Sequence, residues 1–207
     1  IEKGSVSIEA QNIMPVIKRW LYSDKDIFLR EVVSNGCDAI TKYRMLHVGT
    51  DEDMRVTVTV DKEQKELRIS DTGIGMTDDE VRRYINQVAF SGAEEFLKNY
   101  EGDEKGGIIG HFGLGFYSAF MVADEVTVVS KKYGEEQAWK WQSSGADGYT
   151  IEPCEKDGVG TDVIMKLKAD TEDEDYSRFL KPWDIQTLVR KYSDYIRYPI
   201  KMMMDTT

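Results

Sequence analysis

Four side chains in one short stretch are placed to do chemistry together. Between Phe28 and Lys42, Glu31, Asn35 and Asp38 stand at i, i+4 and i+7, and Lys42 follows four residues later. At about 100° per residue, a helix gathers them into one narrow arc. An acid, an amide, a second acid and a base in line can polarise a water, hold a divalent cation and meet a phosphate. The same arc also reads as the ordinary polar face of an amphipathic helix, because Phe28, Leu29, Val32, Val33, Ala39 and Ile40 fill the adjoining apolar arc. The helix alone leaves both readings open.

Three further groups bear on the choice. In Asp71-Thr-Gly-Ile-Gly75 a strand-like segment ends in an acid followed by two glycines. A carboxylate there can accept from an exocyclic amine, and glycines let a ligand approach the backbone. A tight turn with Asp71 bonded to local amides fits equally well. In Gly110-His-Phe-Gly-Leu-Gly115 three glycines, Gly110, Gly113 and Gly115, precede an apolar segment that reads as a buried helix. Amides at a helix N-terminus form an anion site, and close packing through glycine is the other reading. The spacing is neither the lysine-bearing phosphate loop nor the dinucleotide fingerprint. Finally, Gly158-Val-Gly-Thr161 enters a strand, either as a hairpin turn or to bring the Thr161 hydroxyl to a ligand edge.

These groups need a scaffold. Residues 9–21 read as a helix that Pro15 either makes start late, near Met14, or kinks, with Asp24 placed as N-cap for the next helix, which runs to Met45 or Leu46. Val56–Val60 and Glu66–Ser70 alternate and pair as a hairpin. Thr77 is placed to cap a helix over 78–86. Further strands are expected at Gly4–Ile8, Val126–Val129, Gln137–Gln142, Tyr149–Glu152, Thr161–Leu167 and Pro199–Met204, with a last helix over 184–197. Helices cluster early and strands late, which points to an α+β fold, a two-layer sandwich, rather than alternating βαβ units. Cys37, Trp139, Trp141 and the Met202–Met204 run read as packing residues, and His111 as part of its loop.

The 207 residues carry a formal net charge of −11, which argues against a general nucleic-acid surface. It does not exclude a nucleotide, since a pocket makes its own field from helix termini and a metal. Cys37 and Cys154 lack metal-ligand spacing and suggest a reducing, cytoplasmic setting. Neither a membrane-length apolar run nor a signal-peptide pattern is seen. The Ile1 start and the Asp-Thr-Thr end suggest a fragment of a longer protein.

The groups also occur in a familiar order. Tyr22-Ser-Asp-Lys-Asp-Ile-Phe-Leu-Arg-Glu31 resembles the segment that marks the heat-shock protein 90 chaperones. Glu31-x3-Asn35-x2-Asp38, Asp71-x-Gly-x-Gly75, Gly110-x2-Gly-x-Gly115 and Gly160-Thr161 resemble the nucleotide boxes of the gyrase, histidine-kinase and MutL ATPase superfamily. The resemblance covers nearly the whole chain. It implies a Bergerat-type fold, in which a mixed, mostly antiparallel sheet is covered on one face by helices. Residues 1–207 would be a single N-terminal ATP-binding domain ending before a middle domain.

The resemblance also assigns roles. Glu31 is similar to the general base that orients the attacking water, and Asn35 to the magnesium ligand. Asp71 is similar to the acid that binds the adenine amine, helped by a water and Thr161. Asp38, Gly75, Met76 and Phe116 match pocket-lining positions, and Lys42 a lysine at the pocket edge. Residues 86–115 would be a lid over bound ATP, with Gly110, Gly113 and Gly115 clasping the phosphates. Ser5–Ile8 would be exchanged between the protomers of a homodimer. ATP or ADP with magnesium are the implied ligands, and client proteins the implied partners. The catalytic arginine would come from the middle domain, so a slow ATPase is expected. Other members of the superfamily, such as kinases or topoisomerases, and a non-catalytic nucleotide sensor are the alternatives. Phe90, where a Lys is usual, and Tyr84, where an Asn is common, depart from the pattern.

Overall fold

The computed structural model describes residues 1–4, 27–46, 54–86, 116–144, 148–191 and 198–203. The expected helix over 9–21, the Asp24 cap, strand residues 5–8, His111, Phe90, nearly all of the lid and the three loop glycines lie outside these residues. Among the described residues, eight strands form one sheet: β1 (Glu2–Gly4), β2 (Val56–Asp61), β3 (Glu66–Asp71), β4 (Ala123–Lys131), β5 (Ala138–Ser143), β6 (Tyr149–Cys154), β7 (Gly160–Leu167) and β8 (Ile200–Met203). Their order is β1-β6-β5-β4-β7-β3-β2-β8. Every neighbouring pair is antiparallel except β2 with β8. The sheet is therefore mixed and mostly antiparallel, as expected.

Strand alternation decides which face is covered. Val56, Val58 and Val60 of β2 are buried, and so are Leu67 and Ile69 of β3, Val126 and Val128 of β4, and Val163, Met165 and Leu167 of β7. Most residues between them, among them Thr57, Thr59, Arg68, Asp162 and Lys166, are partly or fully exposed, with Thr127 of β4 a buried exception. One face thus holds the core and the other meets water, the usual division in antiparallel sheets. The helix α1 (Ile27–Leu46) lies against β2, β3 and β7 on the core side. Its apolar arc closes the core through Phe28, Leu29, Val32, Val33 and Ile40. Phe28 meets Phe179 edge-on, with ring centroids 5.0 Å apart.

The helix α2 (Asp78–Asn86) starts where Thr77 predicts, with a reciprocal capping box. The Glu80 N–H donates to Thr77 Oγ1, and the Thr77 N–H donates to Glu80 Oε1, both at 3.2 Å. Glu80 also receives Lys132 Nζ at 2.8 and 2.9 Å, which ties the helix start to the end of β4. Arg82 gathers Asp78 and Asp79, each at 2.8 Å, together with Glu2 of β1. The segment after the glycine-rich loop is buried from Ala119 to Val122, but it forms a 3-10 helix, Phe116–Met121, rather than an α-helix. A second 3-10 turn, Ser177–Leu180, leads into α3 (Pro182–Lys191). Residues 192–197 of the expected last helix are outside the described set. The first described strand is Glu2–Gly4, which contains Gly4 of the expected Gly4–Ile8, and residues 5–8 lie outside the described residues.

Among the described residues, no helix is long and apolar enough to cross a membrane.

Candidate functional site

The polar face of α1 is uneven. Glu31 is buried, whereas Asn35, Asp38 and Lys42 are exposed. Burial raises the Glu31 carboxyl above its ordinary value. A hydrogen bond from Arg30 Nη2 at 3.1 Å and the Arg30 charge oppose that rise, and Asp38 adds to it. One acid on this face therefore holds its proton more tightly than an exposed carboxyl does. The Cys37 thiol is pushed up to about 11, chiefly by burial and then by Asp38 and Asp71. It is a protonated, half-buried packing residue rather than a nucleophile.

Asp71 ends β3 directly beside α1. A Cβ built at Gly36 of that helix would lie 3.1 Å from the Asp71 Cβ and 3.5 Å from Oδ2. The Gly73 N–H donates to Asp71 Oδ1 at 2.9 Å. Across the sheet, Asp71 stands opposite Thr161. The residue keeps partial exposure, yet its carboxyl is enclosed, and burial pushes it up to about 7. The Gly73 and Thr161 backbone and Lys156 hold it back, and Asp162 adds to the rise. The turn reading of Asp71 accounts for one oxygen, bonded by the Gly73 N–H, while Oδ2 lies beside α1.

The glycines after Asp71 are needed for close approach. A Cβ at Gly73 would lie 2.5 Å from the Ala39 Cβ and 2.6 Å from the Ala39 carbonyl carbon. Without one, the Ile74 N–H reaches the Ala39 carbonyl at 3.0 Å and fastens the loop to α1. Gly75 has φ of 74°, and its Cβ would fall 1.9 Å from the Lys131 carbonyl oxygen. A side chain fails there on both counts.

Thr161 is buried, and its hydroxyl lies 2.7 Å from Ser130 Oγ. Ser130 Oγ also accepts from the Met76 N–H at 2.8 Å. The structure therefore brings Asp71, Gly73, Gly75, Met76 and Thr161 together at the ends of β3 and β7, under Gly36 and Ala39 of α1. Ser130 joins them without having been read from the sequence. The one available signal was a serine at the third place of the alternation Val126, Val128, Ser130. Glu31, Asn35, Asp38 and Lys42 line up along α1. Phe116 opens the 3-10 helix, and Gly110, Gly113 and Gly115 are outside the described residues.

Comparison with known proteins bears on this arrangement. Residues 23–171 match the family described as histidine kinase-, DNA gyrase B- and HSP90-like ATPase. Over 211 residues the chain is 50% identical to the chaperone protein HtpG of Bacillus subtilis strain 168, covering 99% of this chain and 33% of that protein. It is 50% identical over 202 residues to the chaperone protein HtpG of Natranaerobius thermophilus, covering 94% and 32%. For the chaperone protein HtpG of Alkaliphilus metalliredigens the identity is 48% over 211 residues, covering 99% and 34%. The chain spans about a third of the length of these curated relatives. An acid enclosed at a strand end beneath a helix bearing Glu31 and Asn35, within a match that takes in more than half of the sequence, gives the assignment: this chain belongs to the histidine kinase-, DNA gyrase B- and HSP90-like ATPase family.

Proposed function

We propose that residues 1–207 form the N-terminal nucleotide-binding domain of a molecular chaperone that binds ATP and hydrolyses it slowly. The observation that carries this reading is the enclosed Asp71 carboxyl, with Oδ2 against α1 and the Thr161 hydroxyl on the neighbouring strand. A carboxylate held in this way accepts from the exocyclic amine of adenine. The names of the three relatives support the chaperone role.

Hydrolysis is attack by water on the γ-phosphorus. Glu31 takes the proton from that water, the bond from phosphorus to the bridging oxygen breaks, and ADP and phosphate leave. Partial burial favours this role for Glu31, because a carboxylate with a raised pKa is a better base. Asn35 lies one helical turn from Glu31 and is exposed toward the same arc. No cluster of three acidic, histidine or cysteine ligands exists among the described residues. A lone amide oxygen fits magnesium, which keeps its waters and takes phosphate oxygens instead of demanding a protein cage. Asn35 would hold the ion, which when bound neutralises phosphate charge.

Lys42 and Asp38 would support the pocket edge, with Gly75, Met76 and Phe116 lining it. Gly110, Gly113 and Gly115 would clasp the phosphates as residues 86–115 fold over them. In the longer protein, closure would promote homodimerisation and act on client proteins in the cytoplasm. The test is a calorimetric titration of this chain with ADP and magnesium. Saturable binding at one site is expected, and no heat of binding at millimolar ADP would end the proposal.

A further inference from the structure

We propose that Ser130 is a positioning residue for nucleotide recognition: the hydrogen bond it shares with Thr161 sets whether the Thr161 hydroxyl offers a hydrogen or a lone pair to the bound base. This deepens the nucleotide reading above and rests on it.

Ser130 is fully buried on the core face of β4, in line with Val126 and Val128. A polar side chain at such a place persists only with partners. It has three: the Met76 N–H at 2.8 Å, Thr161 Oγ1 at 2.7 Å and the Gly160 carbonyl at 3.3 Å. A serine hydroxyl has one hydrogen to give and two lone pairs. The Met76 N–H takes one lone pair in every case, which leaves two arrangements. In the first, Ser130 donates to Thr161, whose own hydrogen is then free to point at a ligand or its water. In the second, Thr161 donates to Ser130, Ser130 turns its hydrogen to the Gly160 carbonyl, and Thr161 presents only lone pairs. Both arrangements satisfy Ser130, so the exchange needs only two hydroxyl rotations.

The consequence is a division between neighbouring groups. An ionised Asp71 can only accept, so it selects a ligand amine. Thr161, beside it across the β3–β7 ladder, adapts to whichever polarity the adjacent ring atom or bridging water presents. The same contact fastens the loop behind Gly75, because the Met76 N–H ends on the same oxygen. A purely structural serine would couple to Thr161 in folding stability but not in nucleotide affinity.

The test is a double-mutant cycle on ADP binding with magnesium, read by calorimetry and accompanied by thermal melts. The four forms are wild type, Ser130→Ala, Thr161→Val and the double variant. Each single change should weaken the Kd roughly two- to tenfold, the range of one hydrogen bond. The double variant should bind more tightly than the product of the two single losses predicts, because part of what Ser130 does runs through that hydroxyl while the Met76 bond is lost in either background. Losses that multiply, or a Ser130→Ala variant that binds as wild type, overturn the relay. Wild type that binds no ADP overturns the nucleotide reading, and the relay with it. Should Ser130→Ala fail to fold, the wild-type chain still decides. Its buried Ser130 and Thr161 hydroxyl protons should shift in proton NMR on adding ADP, and unshifted protons overturn the proposal.

Discussion

Replacing Asp71 with Asn should move stability and nucleotide binding in opposite directions. Burial raises the folded-state carboxyl from 3.8 to about 7. Between those values the unfolded chain has released its proton while the folded chain still holds one. The unfolded state binds fewer protons, so stability falls as pH rises through this window and levels off above it. At 1.36 kcal/mol per pH unit the interval is worth on the order of 4 kcal/mol. Asn carries no charge at any of these pH values and keeps an oxygen for the Gly73 N–H. At pH 8 the Asp71→Asn chain should therefore melt higher than wild type, by roughly 5 to 15 °C, while near pH 4 the two should nearly coincide. Binding reverses the sign. The variant loses a charge-assisted acceptor worth about 1.5–3 kcal/mol, and its amide turns a donor toward the ligand amine, costing about 1–3 kcal/mol more. ADP affinity should drop by roughly two to four orders of magnitude in a calorimetric titration at pH 8. In wild type, affinity should climb as pH rises through about 7, because the ligand needs the ionised form. Retained affinity in Asp71→Asn would refute the adenine role. A melt at pH 8 no higher than wild type would refute the enclosed carboxylate.

Glu31→Ala in the proposed longer protein should cut phosphate release by roughly a hundredfold or more while leaving the ADP Kd within about threefold; surviving hydrolysis removes Glu31 as the base. Gly73→Ala forces a Cβ to 2.5 Å from that of Ala39. It should cost about 1–3 kcal/mol in urea unfolding, and an unchanged midpoint contradicts the close approach. Arg82→Ala dissolves the cluster with Glu2, Asp78 and Asp79, whose exposed pairs are worth at most about 1 kcal/mol each. The global melt should barely move while the β1 amides exchange faster, a difference that molar salt suppresses; equal exchange rates at low salt would mean that Arg82 does not seat this strand.

Local pattern made much of the fold legible. Val56–Val60 alternates because one face of β2 is core and the other is water, so its period survives in the sequence. Thr77 and Glu80 announce a helix start through a capping box that involves only four consecutive residues. The apolar arc of α1 likewise follows from residue spacing alone. What local pattern hid was strand order. The placement of β7 between β4 and β3, and the parallel pairing of β8 with β2, depend on contacts between residues far apart in the chain. The 3-10 form of Phe116–Met121 was hidden for a related reason. Its apolar composition signals burial, and six residues are too few for periodicity to separate one helical form from another.

The site divides along the same line. Glu31, Asn35 and Asp38 were visible as a set because one helix spaces them. Asp71 with its glycines was visible as a motif because a turn compresses it into five residues. The functional readings of these groups came from their order along the chain, since each alone remained ambiguous. Ser130 could not be found in this way. It sits in an ordinary strand sequence, and its meaning arises from the register that sets it opposite Trp139 on one side and Thr161 on the other. Gly36 shows the converse. It reads as a weak spot within a helix, at a cost of about 1 kcal/mol relative to alanine. Only the packing of α1 on β3 reveals that its missing Cβ faces the Asp71 carboxyl. A residue whose purpose is to leave room has no chemistry of its own to read, and one that acts through a neighbour's hydroxyl shows it only when that neighbour is in place. Both kinds surround Asp71, so the adenine end of the proposed pocket is where the structure adds most to the sequence.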